Sequence, residues 1–226
     1  MIRGLREILP DNGKAFSSIL ISLKTRNFRL YFTGMCVSLT GTWMQQVAMS
    51  WLVYRLTGSV FLLATVTFMA QIPILLVTPL MSVFVDRFDR QKILILTQSL
   101  SMVQALSMAA LTLSGVIEVW HILILSLLIG CINALDNPTR QAFYPSLVAK
   151  EHLSNAIALN SAVINGSRLI GPAIGGVLIG IFGEGLCFLL NGISYLGVII
   201  ALFLMRLSPF TVQHRRQNVL KRVLDD

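Results

Sequence analysis

The chain has 226 residues, 55% of them hydrophobic and 12% charged, with a formal net charge of +8 and a mean hydropathy of +0.75. So apolar a composition, gathered in long uncharged runs, excludes a soluble enzyme. The basic balance does not mark a nucleic-acid binder either, because the cations are scattered over short connectors and not clustered on one folded face.

Six long apolar segments lie between Phe28 and Arg206. A bilayer core takes about 20 helical residues to cross, and spanning backbone must satisfy its own hydrogen bonds, as helices or closed barrels do. Barrel strands would be short and alternating, and these runs are long and apolar on all sides. The expected fold class is therefore an all-α membrane protein with six transmembrane helices. Residues 1–27 form a basic N-terminal tail, residues 28–207 the bundle, and residues 208–226 a C-terminal tail. Six crossings put both tails on one side. Sixteen of the 18 Lys and Arg fall there, Arg55 lies opposite, and Arg168 is within a span. The excess of positive charge places both termini in the cytoplasm of a multi-pass protein of the cytoplasmic membrane, in contact with membrane lipids.

Span one, Leu30 to Tyr54, aligns Ser38, Thr42, Gln45 and Met49 on one stripe, with Gln46 beside it. Such amides suit either a cavity wall or hydrogen bonds between helices. Thr57-Gly58-Ser59 turns the chain into span two, Val60 to Val85, where Gln71 sits near Pro73 and Pro79 bends the helix further. The following loop, Asp86-Arg87-Phe88-Asp89-Arg90-Gln91-Lys92, is dense in charge; it suits a two-state latch between helix ends or a solvated turn. Span three, Ile93 to Ile117, carries Gln98, Ser101 and Gln104, which read as packing glue. Span four, Val119 to Leu135, extends into a polar stripe of Asn133, Asp136, Asn137 and Arg140. Asp136 is the one acid near a span interior, and it suits an ion pair with Arg140 or a loop arginine more than a proton carrier.

Span five, Leu153 to Gly183, is interrupted by Arg168, which shares a helix face with Ser161 and Asn165. About 15 residues into the helix, Arg168 is more than about 20 Å from the span's start. Two readings stand for it: a cation facing a cavity, or a tie to neighbouring backbone carbonyls. Gly171, Pro172, Gly175 and Gly176 form a small-residue surface for close helix approach. Span six runs from Gly185 to Met205. Turns as short as these predict sequential helices packed side by side. Cys36, Cys131 and Cys187 are read as packing residues. No catalytic set, metal site or cofactor site is expected.

These motifs converge on a family. Asp86-Arg87-x-Asp89-Arg90 resembles the signature loop of the major facilitator superfamily, and Gly171-Pro172-x-x-Gly175-Gly176 resembles its span-five antiporter motif. Asn137-Pro138-Thr139-Arg140-Gln141-Ala142-Phe143-Tyr144-Pro145, followed by Asn155 to Ser161, resembles the enterobactin-exporter-like and macrolide-efflux-like subgroup. Ser82 and Asp89 stand where the general loop motif has glycine, and Ser167 stands where a glycine often precedes the span-five motif. The resemblance implies proton- or gradient-driven export of a small-molecule substrate by alternating access. It implies two inverted three-helix repeats and a cytoplasmic gate of Asp86, Arg87, Asp89, Arg90 and Asp136, with Arg90 the partner of Asp136. Thr42, Gln45, Gln46, Gln71, Asn165 and Arg168 would line the substrate pathway.

The resemblance also implies that the chain is an N-terminal half, with residues 208–226 the start of a cytoplasmic linker. It would then act with a second six-helix half or by self-association. The alternative is a truncated, non-transporting membrane fragment with at most an assembly or regulatory role.

Overall fold

A computed structural model describes residues 21–85 and 87–205. Most of the N-terminal tail, Asp86 and the linker segment therefore lie outside the described residues. Six long helices follow in order: α1 (Arg26–Thr57), α2 (Val60–Val85), α3 (Arg90–Leu113), α4 (Val119–Phe143), α5 (Leu153–Phe182) and α6 (Glu184–Leu204). Short 3-10 turns occupy Ile21–Lys24, Tyr144–Ser146 and Lys150–His152.

Helices α2 to α6 are each long and apolar enough to cross a membrane. Helix α1 has the length, with 32 residues, but Ser38, Thr40, Thr42, Gln45, Gln46 and Ser50 dilute its hydropathy. Helix α4 runs two turns further than its apolar stretch, through Pro138 to Phe143, and so carries Asp136 and Arg140 on regular helix. Helix α2 likewise continues through Pro73 and Pro79. The turns after α1, α3 and α5 hold Gly58, Gly115 and Gly183 at φ of 61°, 74° and 80°, a region that side chains disfavour.

The packing departs from the side-by-side arrangement that short turns suggested. Helix α1 packs on α5 and α6, α3 on α6 and α4, and α2 on α4, while α1 and α2 meet only sparingly and α2 and α3 barely touch. Turn length sets antiparallel direction, but the small faces decide which helices meet. In lipid, association depends on close van der Waals contact and on hydrogen bonds between helices. A Cβ on Gly130 of α4 would lie 2.5 Å from the Ala70 carbonyl oxygen of α2. One on Gly34 of α1 would lie 3.0 Å from the Gly197 carbonyl oxygen of α6.

The span-five motif behaves in the same way at two of its glycines. Gly171 would place a Cβ 2.7 Å from the Thr40 carbonyl oxygen, and Gly175 one 3.2 Å from Met44 Cγ, both on α1. Ser167, one turn earlier, is buried on the same face and lies 3.2 Å from the Thr40 hydroxyl, so a serine is accommodated where a glycine was expected. Gly176 meets nothing within 4 Å and is not part of this contact.

Two apolar clusters fill the bundle. At the end where α1 begins, Phe28, Tyr31, Leu94, Phe143, Val198 and Leu202 pack together. At the opposite end the core is Met44, Leu52, Met108, Ile122 and Phe188. There Arg55 and Glu184 join α1 to α6 through two nitrogen–oxygen contacts of 2.7 and 3.2 Å.

Gly130→Ala is expected to lower unfolding free energy by about 1–3 kcal/mol, because backbone meets backbone and neither can yield. Gly176→Ala should instead raise it by up to about 1 kcal/mol through helix propensity. Unfolding in mixed micelles, followed by circular dichroism, checks both; equal effects of the two would contradict this packing.

Candidate functional site

The polar residues of the spans divide into three groups. The first surrounds Asp136, which is 2% exposed. Arg140 stands one turn away on α4, and its Nε lies 2.6 Å from Asp136 Oδ2. Helix α3 supplies two more donors to Oδ1: the Thr97 hydroxyl at 2.6 Å and the Gln98 amide nitrogen at 2.9 Å. Arg140 also reaches Met35 Sδ of α1 at 3.0 Å. Of the readings weighed for Asp136, the pair with Arg140 is the one built. Arg90, which the resemblance implied as a partner of Asp136, is the first residue of α3.

The charged loop beside this cluster is only partly described. Asp89 caps α3, its side chain accepting from the Gln91 backbone nitrogen at 2.9 Å. This is the usual work of an aspartate at a helix start. Gln91 in turn donates to the Leu202 carbonyl at 2.6 Å and so ties α3 to the end of α6. Arg90 opens α3 half-buried, and Arg87 is exposed in the turn. Asp86 lies outside the described residues.

The second group is a chain of buried amides. Asn191 Nδ2 donates to Gln45 Oε1 at 2.7 Å, Gln45 Nε2 to Gln104 Oε1 at 3.2 Å, and Gln104 Nε2 to the Leu125 carbonyl at 3.3 Å. Helices α6, α1, α3 and α4 are thereby joined at mid-depth. Ser194 completes the chain by donating to the Asn191 backbone carbonyl at 2.7 Å. The Thr42 hydroxyl donates to the Ser38 carbonyl at 2.9 Å and lies 3.4 Å from the Tyr195 hydroxyl. The stripe of Ser38, Thr42 and Gln45 is thus engaged between packed helices. Gln45 is buried in this network, and Thr42 is half-buried beside it.

The third group is exposed. Gln46 on α1, Gln71 on α2, and Ser161, Asn165 and Arg168 on α5 all leave their side chains uncovered by the rest of the chain. Arg168 stands midway along the 30-residue α5, with its guanidinium carbon 4.7 Å from the centre of the Trp43 ring. This contact with α1 replaces the tie to backbone carbonyls considered for it. The exposed large apolar side chains of α6 are Leu190, Ile193, Leu196, Ile200, Phe203 and Leu204, and those of α3 are Leu96, Leu100, Val103 and Leu113; α2 and α5 expose apolar side chains as well, Phe68, Leu75 and Leu169 among them.

A family model described as transmembrane secretion effectors matches residues 17–224. The chain belongs to this major facilitator family. Among its curated relatives, the staphyloferrin A transporter of Staphylococcus aureus is 29% identical over 200 residues, covering 87% of this chain and 50% of the relative. Macrolide efflux protein A of Streptococcus pyogenes is 26% identical over 162 residues, covering 69% of this chain and 39% of the relative. Multidrug efflux pump Tap of Mycolicibacterium fortuitum is 26% identical over 143 residues, covering 61% and 35%. The chain thus spans half or less of each relative's length. No solved structure matches.

As a major facilitator protein, the chain is a multi-pass membrane protein of a transporter family. Several of its polar contacts escaped sequence reasoning. Asn191 and Glu184 were missed, although an amide within a span of mean apolar character, and an acid opposite the lone outer arginine, were both visible signals. Thr97 was missed because a threonine in an apolar helix usually bonds its own backbone. Its hydroxyl does reach the Leu94 carbonyl at 3.1 Å as well as Asp136.

Arg140→Ala leaves the Asp136 carboxylate buried beside two neutral donors and is expected to cost about 3–5 kcal/mol of stability. The pair Asp136→Leu with Arg140→Met should recover most of that loss. Thermal unfolding of the purified variants checks this; a double variant as unstable as the single would overturn the assignment of the pair as the source.

Proposed function

We propose that the chain is one six-helix half of a secondary active transporter. It exports small molecules across the cytoplasmic membrane by alternating access, driven by a proton gradient. The observation that carries this reading is the sorting of exposed polar groups. Helices α3 and α6 expose apolar side chains, the surface lipid favours. Helices α1, α2 and α5 also expose apolar side chains, Phe68, Leu75 and Leu169 among them, but add Gln46, Gln71, Asn165 and Arg168, polar groups that a water-filled path favours. On this reading a second six-helix half, another chain or a second copy, covers that face. Trp43 joins the pathway set, and Gln45 and Thr42 support it from behind.

The interleaved contacts support two inverted three-helix repeats. Exchanging α1 with α4, α2 with α5 and α3 with α6 carries α1–α5 onto α4–α2, and α1–α6 onto α4–α3, while α3–α6 maps onto itself. Such repeats place the substrate site at their interface near mid-membrane, which is the depth of Arg168. The gate is the charged loop of Asp86, Arg87, Asp89 and Arg90 at the inner end, next to the Asp136–Arg140 pair. The efflux relatives and the antiporter-like Gly171-Pro172 segment support export. The basic connectors support cytoplasmic termini.

Inverted vesicles test the reading, with the chain expressed alone and together with the last six helices of a full-length relative. Proton-driven uptake of a fluorescent efflux substrate is expected for the pair, falling by about tenfold or more with Arg168→Ala. Robust uptake by both Arg168→Ala and Asp136→Asn would remove the site assignment. Maleimide labelling of a cysteine at Arg87 from outside intact cells would remove the orientation.

A further inference from the structure

We infer that Arg168 and Trp43 form a binding site for an organic anion: a carboxylate-bearing molecule with an apolar or aromatic body. This rests on the proposal above that the exposed face of α1 and α5 lines a path, and it adds the chemical class of what is held there.

The argument starts from charge. An arginine cannot shed its proton at any ordinary pH, and a cation at mid-membrane is costly unless it is paired or reaches water. The acids that are described within the helices are already taken. Asp136 is held by Arg140, Thr97 and Gln98, and Glu184 is held by Arg55. The acids at the turns are placed elsewhere: Asp89 caps α3, Glu118 receives the Trp120 indole N–H at 2.6 Å, and Glu151 lies in the 3-10 turn before α5. Among the described residues, no carboxylate pairs with Arg168.

Neutral neighbours do not satisfy it either. The Thr40 and Ser167 hydroxyls lie against each other, and the Asn165 amide nitrogen donates to the Ser161 carbonyl at 2.9 Å. What the fold supplies is the Trp43 ring at 4.7 Å. A ring face holds a cation in place but brings no negative charge.

Trp43 packs against α5 at its Cβ, where Gly171 leaves room, since a Cβ on Gly171 would lie 2.6 Å from that atom. The glycine of the span-five motif thus lets the indole sit at α5, one turn from the arginine. The guanidinium is held at a set position with its charge unmet, and its fork matches a carboxylate in two-point fashion. Leu169, the next residue on α5, is exposed and offers contact to an apolar body.

The test is equilibrium dialysis of the full chain in lipid nanodiscs, with empty nanodiscs as the blank, against radiolabelled 1-naphthoate and its neutral isostere 1-naphthamide. Saturable binding of naphthoate is expected, about tenfold tighter than the amide, the difference a charge-assisted hydrogen bond makes. Arg168→Lys should keep part of the preference, and Arg168→Gln should abolish it. Trp43→Leu should weaken both ligands. Equal binding of acid and amide by the unmodified chain, no saturable naphthoate binding, or an undiminished acid preference in Arg168→Gln would each overturn the inference. The comparison of acid with amide needs no variant, so misfolding of a variant cannot mask the result. Vesicle uptake of neutral or cationic compounds that persists in Arg168→Gln would sink the anion site and leave transport standing. An acid preference without uptake of any compound would do the reverse.

Discussion

A polar group inside lipid must find its partner within the protein, and this constraint organises the whole chain. Water is absent from the hydrocarbon core, so an amide, hydroxyl or charge placed there is costly unless it meets another or faces a wet surface. The carboxylate of Asp136 collects three donors from two helices. Gln45 spends both ends of its amide on neighbours. The glycines serve the same end, because a donor and acceptor on adjacent helices meet only where the backbones come close. Gly41 illustrates the link: a Cβ there would lie 2.6 Å from Asn191 Oδ1 and 2.8 Å from Ser194 Oγ, so the amide chain exists because that position is bare.

Much of the fold was legible because hydropathy and turn chemistry are local. The six runs and the glycine turns followed from short-range pattern, and helical spacing offered Arg140 as one of the partners weighed for Asp136. Which helices would touch did not follow. Interhelical contact is set by matching faces from distant segments, as when Gly34 meets Gly197, and periodicity within one helix names a face without naming its partner. The same limit explains Gln45 and Gln46. Adjacent in sequence, they point about 100° apart on the helix, one into the amide chain and one to the open face, and spacing could not say which was which.

Arg168 was legible as an anomaly and illegible as a site. A charge in the middle of an apolar run stands out in any sequence. Its contact with Trp43 needed two helices, and needed Gly171 to bring them together. The span-five motif therefore does more than pack α5 on α1: it sets the one mid-membrane cation against an aromatic face.

Helices α1 and α6 are fastened at three levels. The Arg55–Glu184 contact secures one extremity, the Gln45–Asn191 bond secures the middle, and the bare backbones of Gly34 and Gly197 touch toward the other. A pair riveted along its length cannot shear or splay without breaking all three. Any relative motion of the helices must carry α1 and α6 together as a single beam, and α2 is the neighbour that α1 meets only sparingly.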